Sequence, residues 1–353
     1  MLDSKALVEV NVVAAVALVL LLGVLPTTVT AQKPGQPNAK AAAAGDPDDP
    51  AGNDLNLYTK TSSVAGKPVW VRVRATDADK ASKAIDDAIQ EIGRVHRKFL
   101  RSSKIGEITS INHIADREEV RVSSETQMVL TLALKFCRLS GGGFDPTMAS
   151  FDYLWNFDRK PFVPPLADEV AARLGMVGCD KIALKPNRGV RITVPGVRLS
   201  VAEMLNGHAL QKAGEALGKH GIGAFVVRIG RDQYVMGRNA TRYWYTPIAH
   251  PLDPKREMLQ VYVGSHGIAT RSIADRSVLH RGAQYHDVLD PATGRPVSGV
   301  LQATVVSPDP ALADAMSRAL LALGPKRGLA MLAKVSQQIE GFIVDAKGVV
   351  HAT

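Results

Sequence analysis

Cysteine is nearly absent: the 353 residues include two, Cys137 and Cys179. That excludes a disulfide-dense mini-domain and a multi-cysteine zinc module. Aromatic residues are scarce too, at 5%. The chain is basic, with 43 Lys and Arg against 34 Asp and Glu, a net charge of +9. Its positive charges are scattered, however, and nucleic-acid binders gather theirs on one face among stacking aromatics. Nucleic acid is therefore not expected as a partner. No repeat of solenoid length occurs. What remains, 46% hydrophobic and 22% charged residues, is ordinary globular composition.

One clear apolar run, residues 12–22, is shorter than the roughly 20 residues that span a bilayer comfortably. Val29, Thr30 and Ala31 then offer small residues before Gln32, as a signal peptidase requires. Export with cleavage is the first reading of residues 1–31, and an uncleaved membrane anchor is the second. No Cys lies near the end of the run, which excludes a lipid anchor on cysteine. Residues 32–60 hold Pro34, Pro37, four alanines at 41–44 and a turn-rich 45–50. That is too little apolar surface to offset chain entropy, so a disordered linker is expected there and a folded body over 61–353.

In the body, Val69, Val71 and Val73 alternate with Trp70, Arg72 and Arg74, which predicts a strand. Ile85, Ile89, Ile92 and Phe99 recur at helical spacing. Ser123 and Ser124 open a second helix through Met128, Leu132 and Phe136, which Gly141-Gly142-Gly143 ends. Further helices are expected at 203–219, 311–323 and 326–335, and strands at 225–229, 259–263, 302–306 and 341–344. Strands and helices mix without a βαβ rhythm, so the expected class is α+β, with mixed or antiparallel sheets flanked by helices. The basic stretch of Arg94, Arg97, Lys98, Arg101 and Lys104 reads as a solvated helix face. Cys137, beside Phe136, reads as a buried structural thiol; it pairs with Cys179 only if an oxidising compartment and the geometry allow it.

Four segments are candidates for chemistry. Ser140-Gly141-Gly142-Gly143-Phe144-Asp145-Pro146-Thr147 either lets backbone approach a ligand or forms a helix C-cap followed by an Asp-Pro turn. The stretch 286–296, which begins His286-Asp287-Val288 and contains Asp290-Pro291-Ala292-Thr293-Gly294, is dense in turn formers. Asp314, near a helix start, is either a cap or a ligand for a hard metal such as Mg²⁺. Ser200 to Ala209 reads as a strand running into a helix whose N-terminus favours phosphate, with Ser200 as cap in the plainer reading.

Taken in order, these segments resemble the FAD:protein FMN transferase, or ApbE-like, family. Gly106-Glu107-Ile108-Thr109-Ser110-Ile111-Asn112 is similar to the family's Ser-Glu-Ile-Ser-x-Ile-Asn. The Gly-Gly-Gly-Phe-Asp-Pro-Thr segment, Leu154-Trp155-Asn156-Phe157, Gly230-Arg231-Asp232, the Asp290–Gly294 turn and Ala313-Asp314-Ala315 extend the likeness to the carboxyl end. The resemblance implies cleavage of the FAD pyrophosphate with Mg²⁺ and transfer of FMN to a Thr or Ser hydroxyl of an acceptor protein. It places Gly143, Phe144, Asp145, Ser200, Asn206 and Val288 at FAD. The metal would sit on the Asp314 carboxylate and the Glu203 backbone carbonyl, with Asp287 and His286 as catalytic groups.

The pattern is broken in four places. Arg318 stands where the family has Thr. Ser200 to His208 replaces Asp-Leu-Gly-Gly-Ile-Ala-Lys-Gly-Tyr. Asp287 replaces His, and Thr270-Arg271-Ser272 replaces Thr-Ser-Gly. Residues four apart share a helix face, so Arg318 either pairs with Asp314 in the cation's place or binds pyrophosphate directly. Glu203 and Asp287 bring carboxylates that rebuild a metal site or serve as base. The alternative function is an FAD-binding protein of the same fold with impaired catalysis.

Overall fold

A computed structural model describes residues 56–100, 106–240 and 242–353. Residues 1–55, expected from the sequence to be a leader and linker, and Arg101 and Lys104 lie outside the described residues. Six α-helices are described: α1 (Ala78–Phe99), α2 (Glu107–Ile114), α3 (Ser124–Leu139), α4 (Ala167–Leu174), α5 (Ala202–Lys219) and α6 (Pro310–Val335). The strands are β1 (Asn56–Val64), β2 (Lys67–Ala75), β3 (Val120–Arg121), β4 (Ile182–Leu184), β5 (Gly189–Ile192), β6 (Phe225–Ile229), β7 (Asp232–Met236), β8 (Trp244–Ala249), β9 (Glu257–Val263), β10 (His266–Ser272), β11 (Ser277–His280), β12 (Ala283–His286), β13 (Val300–Ser307), β14 (Glu340–Asp345) and β15 (Val350–Ala352). Eight of them form one sheet in the order β1-β2-β6-β7-β10-β13-β14-β15. Every neighbouring pair in it is antiparallel. The fold is α+β, as the sequence predicts.

Period-two alternation covers both faces of this sheet. Val69, Val71 and Val73 of β2, Phe225 and Val227 of β6, and Ala303 and Val305 of β13 join the main core with α1, α3, α5 and α6. The residues between them, Val226, Val235, Ile268, Val306 and Phe342, meet the β8–β9 hairpin through Trp244, Ile248, Leu259 and Val261. A third cluster holds Met148, Phe151, Trp155, Phe157, Phe162, Val170 and Leu289. β1 begins at Asn56 and pairs with β2 along its length, so the folded body reaches into the stretch 32–60 expected to be linker. β1 is largely exposed along its length, which is why its composition reads as linker.

Local chemistry explains the helix ends. Asp77 caps α1 by accepting from the Lys80 N–H at 2.7 Å. The two helices expected at 311–323 and 326–335 are the halves of α6, broken at Gly324 (φ 73°) before Pro325. Asp309, not Asp314, caps α6, accepting from the N–H groups of Ala311 and Leu312. α3 ends in a Schellman arrangement: Gly142 N–H donates to the Cys137 carbonyl and Gly141 N–H to that of Arg138. Cys137 is not a free thiol. It is disulfide-bonded to Cys179 across a Cα–Cα distance of 6.4 Å, which ties the end of α3 to the chain ahead of β4.

The basic stretch on α1 is not merely solvated. Arg94 donates to both oxygens of Glu125 on α3, at 2.9 and 2.7 Å, and Lys98 to the same carboxylate at 2.8 Å. Arg94 first, and Lys98 with it, hold the Glu125 carboxyl down at about 2, below its usual 4.5. A depressed carboxyl contributes stability that is full above its unfolded value and is lost as pH falls through the folded one. Thermal melts should therefore show wild-type stability falling below about pH 4.5, with a shallower fall in Glu125→Gln, the variant being on the order of 2 kcal/mol less stable at neutral pH. Parallel acid limbs for the two proteins would contradict the assignment.

Candidate active site

The segments singled out in the sequence converge where α5 crosses the start of α6 beside β7 and β10. Gly207 permits the crossing. A Cβ built there would collide with the Pro310 carbonyl and the Ala311 backbone, so only glycine lets the helices approach this closely. The approach brings the Gly207 N–H to Asp314 Oδ2 at 2.9 Å. Asp314 is wholly buried, and its other oxygen, Oδ1, accepts from Arg271 Nη2.

Arg271 is the hub. Its Nη1 donates to both oxygens of Asp232 at 2.9 Å and to the Thr270 carbonyl at 3.1 Å. Asp232 opens β7 directly after the two-residue turn Gly230-Arg231, with Gly230 at φ 59° in its first position. Asp232 also accepts from the Asn206 side-chain amide at 2.6 Å and from the Thr270 N–H at 3.2 Å. Lys67 donates to Asn206 Oδ1 at 3.1 Å. Against the penalty of burial, Asp232 and Asp314 hold the Arg271 guanidinium charged, above its usual range. Burial pushes the Asp314 carboxyl up while Arg271 pulls it the other way. Burial, together with nearby Arg271, lowers Lys67.

Arg318 does not pair with Asp314, although one helical turn separates them. It makes an ion pair with Glu203 of α5 at 3.0 Å and donates to the Asp287 carbonyl at 3.1 Å. Burial raises the Glu203 carboxyl, and Arg318 opposes the rise. The half-buried Asp287 side chain makes no hydrogen bond or ion pair with another described residue. His286 has its Nε2 at 3.0 Å from the Val297 carbonyl, so that nitrogen carries the proton and Nδ1 is left unprotonated. Nδ1 is buried without a partner. Burial lowers the His286 pKa, which keeps the ring neutral.

The residues expected at FAD lie along this seam in different settings. Gly143 packs on α6, where a Cβ would press into the Leu323 side chain and Ala319. Phe144 and Val288 bury their side chains in the main core, so what they offer a ligand is backbone. Asp145 caps the following turn by accepting from the Thr147 N–H at 2.8 Å and its hydroxyl at 2.6 Å. Burial raises the Asp145 carboxyl, and the Thr147 bonds oppose the rise. Ser200 Oγ accepts from the Ala202 N–H at 3.1 Å, and the Ser200 N–H donates to the Pro146 carbonyl at 2.7 Å. The chain before Ser200 is irregular rather than the strand end the sequence suggested, because β5 has already ended at Ile192; Asn112 fixes it by a two-bond clamp on Leu199, at 2.9 and 2.8 Å. Trp155 Nε1 donates to the Gly294 carbonyl at 2.8 Å, which docks the Asp290–Gly294 turn on the aromatic cluster.

These donors, as folded, do not fit a divalent cation. Both Asp314 oxygens are already engaged, one by a guanidinium, and the residue one turn on is Arg318 rather than an oxygen donor. The one close group of three candidate ligand side chains among the described residues, Cys137, Asp145 and Cys179, has its two sulfurs joined in the disulfide.

A model of the ApbE family matches residues 66–343. The chain belongs to the ApbE family. Among curated relatives, a Vibrio cholerae FAD:protein FMN transferase is 25% identical over 260 residues, covering 72% of this chain and 77% of the relative. A Haemophilus influenzae FAD:protein FMN transferase is 23% identical over 297 residues, covering 78% and 84%. Among solved structures, the ApbE protein of Thermotoga maritima superposes with a TM-score of 0.78 at 23% identity, covering 84% of this chain and 97% of that one. The apo flavinyl transferase ApbE of Pseudomonas stutzeri gives 0.74 at 19% identity, covering 85% and 94%.

Sequence reasoning gave no site role to Lys67, Asp232 or Arg271. Two of them stood in segments already quoted, Gly230-Arg231-Asp232 as a family-like motif and Thr270-Arg271-Ser272 as a departure from the family pattern; nothing local marked Lys67. The crossing at Gly207 yields a test. Gly207→Ala forces backbone against backbone, and overpacking of this kind costs about 1–3 kcal/mol. Denaturant unfolding should show at least that loss, and an unchanged midpoint would refute the close approach of α5 and α6.

Proposed function

We propose that this chain is an FAD:protein FMN transferase. The observation that carries the reading is the convergence of the ordered motif segments on one seam, in a chain that the ApbE family model matches over residues 66–343. Relatives matched over most of their length bear this activity as their name. In the reaction, the oxygen of an acceptor Thr or Ser hydroxyl attacks the FMN phosphorus of FAD. The bond from that phosphorus to the bridging oxygen breaks, and AMP leaves with the bridging oxygen. The hydroxyl proton passes to a base.

Asp287 is the candidate base. Its carboxylate is half-exposed at the seam, with Arg318 on its own carbonyl, so its position is fixed from the backbone while the side chain stays available. A positioned base contributes about 100-fold or more. His286 positions it, anchored on Val297. Gly143, Phe144, Asp145, Ser200, Asn206 and Val288 border the flavin nucleotide, the first three through the loop that follows the Schellman turn of α3. Holding FAD and acceptor in line is the larger part of the work for a phosphoryl-type transfer.

The partner is a protein presenting a Thr or Ser hydroxyl. We further propose an extracytoplasmic site of action. The disulfide between Cys137 and Cys179 is chemistry that persists in oxidising compartments, which supports export through the leader at 1–31. Among the described residues no helix is long and apolar enough to cross a membrane.

The test is to incubate the purified chain with FAD and a Thr-containing acceptor domain, with and without Mg²⁺, and to follow AMP by chromatography and acceptor mass by spectrometry. The expected result is AMP release matched by a gain of one FMN on the acceptor, with Asp287→Asn slower by about 100-fold. FAD bound yet unchanged after prolonged incubation under both conditions would overturn the reading.

A further inference from the structure

Three observations bear on which cation this site uses. The guanidinium of Arg271 bridges two buried carboxylates, Asp232 and Asp314, which are 1% and 0% exposed. The second Asp314 oxygen is held by the Gly207 N–H. The two other cations nearby are committed as well: Lys67 to Asn206, and Arg318 to Glu203 and the Asp287 carbonyl. An arginine cannot shed its proton in a protein, so the bridge is permanently charged. A divalent ion on Asp314 would have to displace the Arg271 Nη2 from Oδ1 and then stand beside the positive charge it displaced. Arg271 itself remains partly exposed, its side chain at 19%, so it faces the seam while it ties the carboxylates.

We infer that Arg271 is the resident cation of this site: its guanidinium occupies the seat a divalent metal would take on Asp314, and the protein presents a fixed positive charge to an anionic diphosphate in place of Mg²⁺. The identity of the diphosphate rests on the transferase reading above; the absence of a metal seat on Asp314 does not. Arginine suits the role, because its planar fork meets carboxylates and phosphates with paired hydrogen bonds. The arrangement also assigns a use to Asp232, which holds the other terminal nitrogen, Nη1, and so fixes the direction of the guanidinium.

Mn²⁺ alone is the probe, followed by the electron paramagnetic resonance signal of the free ion as it is titrated with the full chain. Wild-type protein should show no stoichiometric site, and Asp314→Asn should not change the titration. Arg271→Ser, which returns a small hydroxyl-bearing residue, should create a site at least about tenfold tighter than any in wild type, and Arg271→Ser combined with Asp314→Asn should lose it. Should Arg271→Ser not fold by circular dichroism, Arg271→Gln, which keeps an amide between the carboxylates without the charge, takes its place. A stoichiometric Mn²⁺ site in wild type that Asp314→Asn abolishes would overturn the inference. So would a folded Arg271 variant that gains no site. A parallel titration with FAD separates this inference from the functional one. Wild-type affinity should be the same in EDTA as in Mg²⁺, whereas no FAD binding at all sinks the transferase reading and leaves the Mn²⁺ result standing.

Discussion

The charged bridge Asp232–Arg271–Asp314 joins the hairpin that opens β7, the end of β10 and the first turns of α6, and through Gly207 it also grips α5. Burying three charges together is expensive, and the expense is offset only when geometry and hydrogen bonds are complete. Here they are nearly so: the Asp232 oxygens take Arg271, Asn206 and Thr270, and the Asp314 oxygens take Arg271 and Gly207. Removing one member would strand the others in the interior, at a cost of about 3–5 kcal/mol. The bridge therefore locks the helical layer to the sheet at the same place where the motif segments meet.

Around that lock, the surrounding elements act as a frame. The disulfide and the Schellman turn fix the glycine segment at the end of α3. Asn112 clamps the irregular segment leading to Ser200. Trp155 holds the Asp290–Gly294 turn, where a Cβ on Gly294 would strike Phe151. Each motif that looked like a turn in isolation is indeed a turn with satisfied backbone groups. The functional content lies in where the turns are brought, not in their individual chemistry.

That distinction sets what could be read from the chain. Val69, Val71 and Val73, the Ile85–Phe99 periodicity and the Gly324-Pro325 break each encode their element locally, through side-chain period and backbone restriction. The site's electrostatics are not local. The helix rule of four offered Arg318 as the partner of Asp314, because that neighbour is visible in a linear sequence. The partner that is present, Arg271, is 43 residues away and arrives by strand pairing, in which β10 lies between β7 and β13. Lys67 reaches Asn206 across 139 residues. The pairing of Cys137 with Cys179 was open for the same reason: only the folded distance decides it. β1 escaped notice because its side chains are largely exposed, so its composition resembles a linker.

In the proposed arrangement a guanidinium, not a metal, sits against Asp314 while the site holds FAD. Anomalous diffraction from crystals grown with FAD and Mn²⁺ tests it most directly. The predicted map has Arg271 between Asp232 and Asp314, the diphosphate facing it and no manganese peak at Asp314. A manganese peak within bonding distance of an Asp314 oxygen, with Arg271 turned away, would contradict the claim.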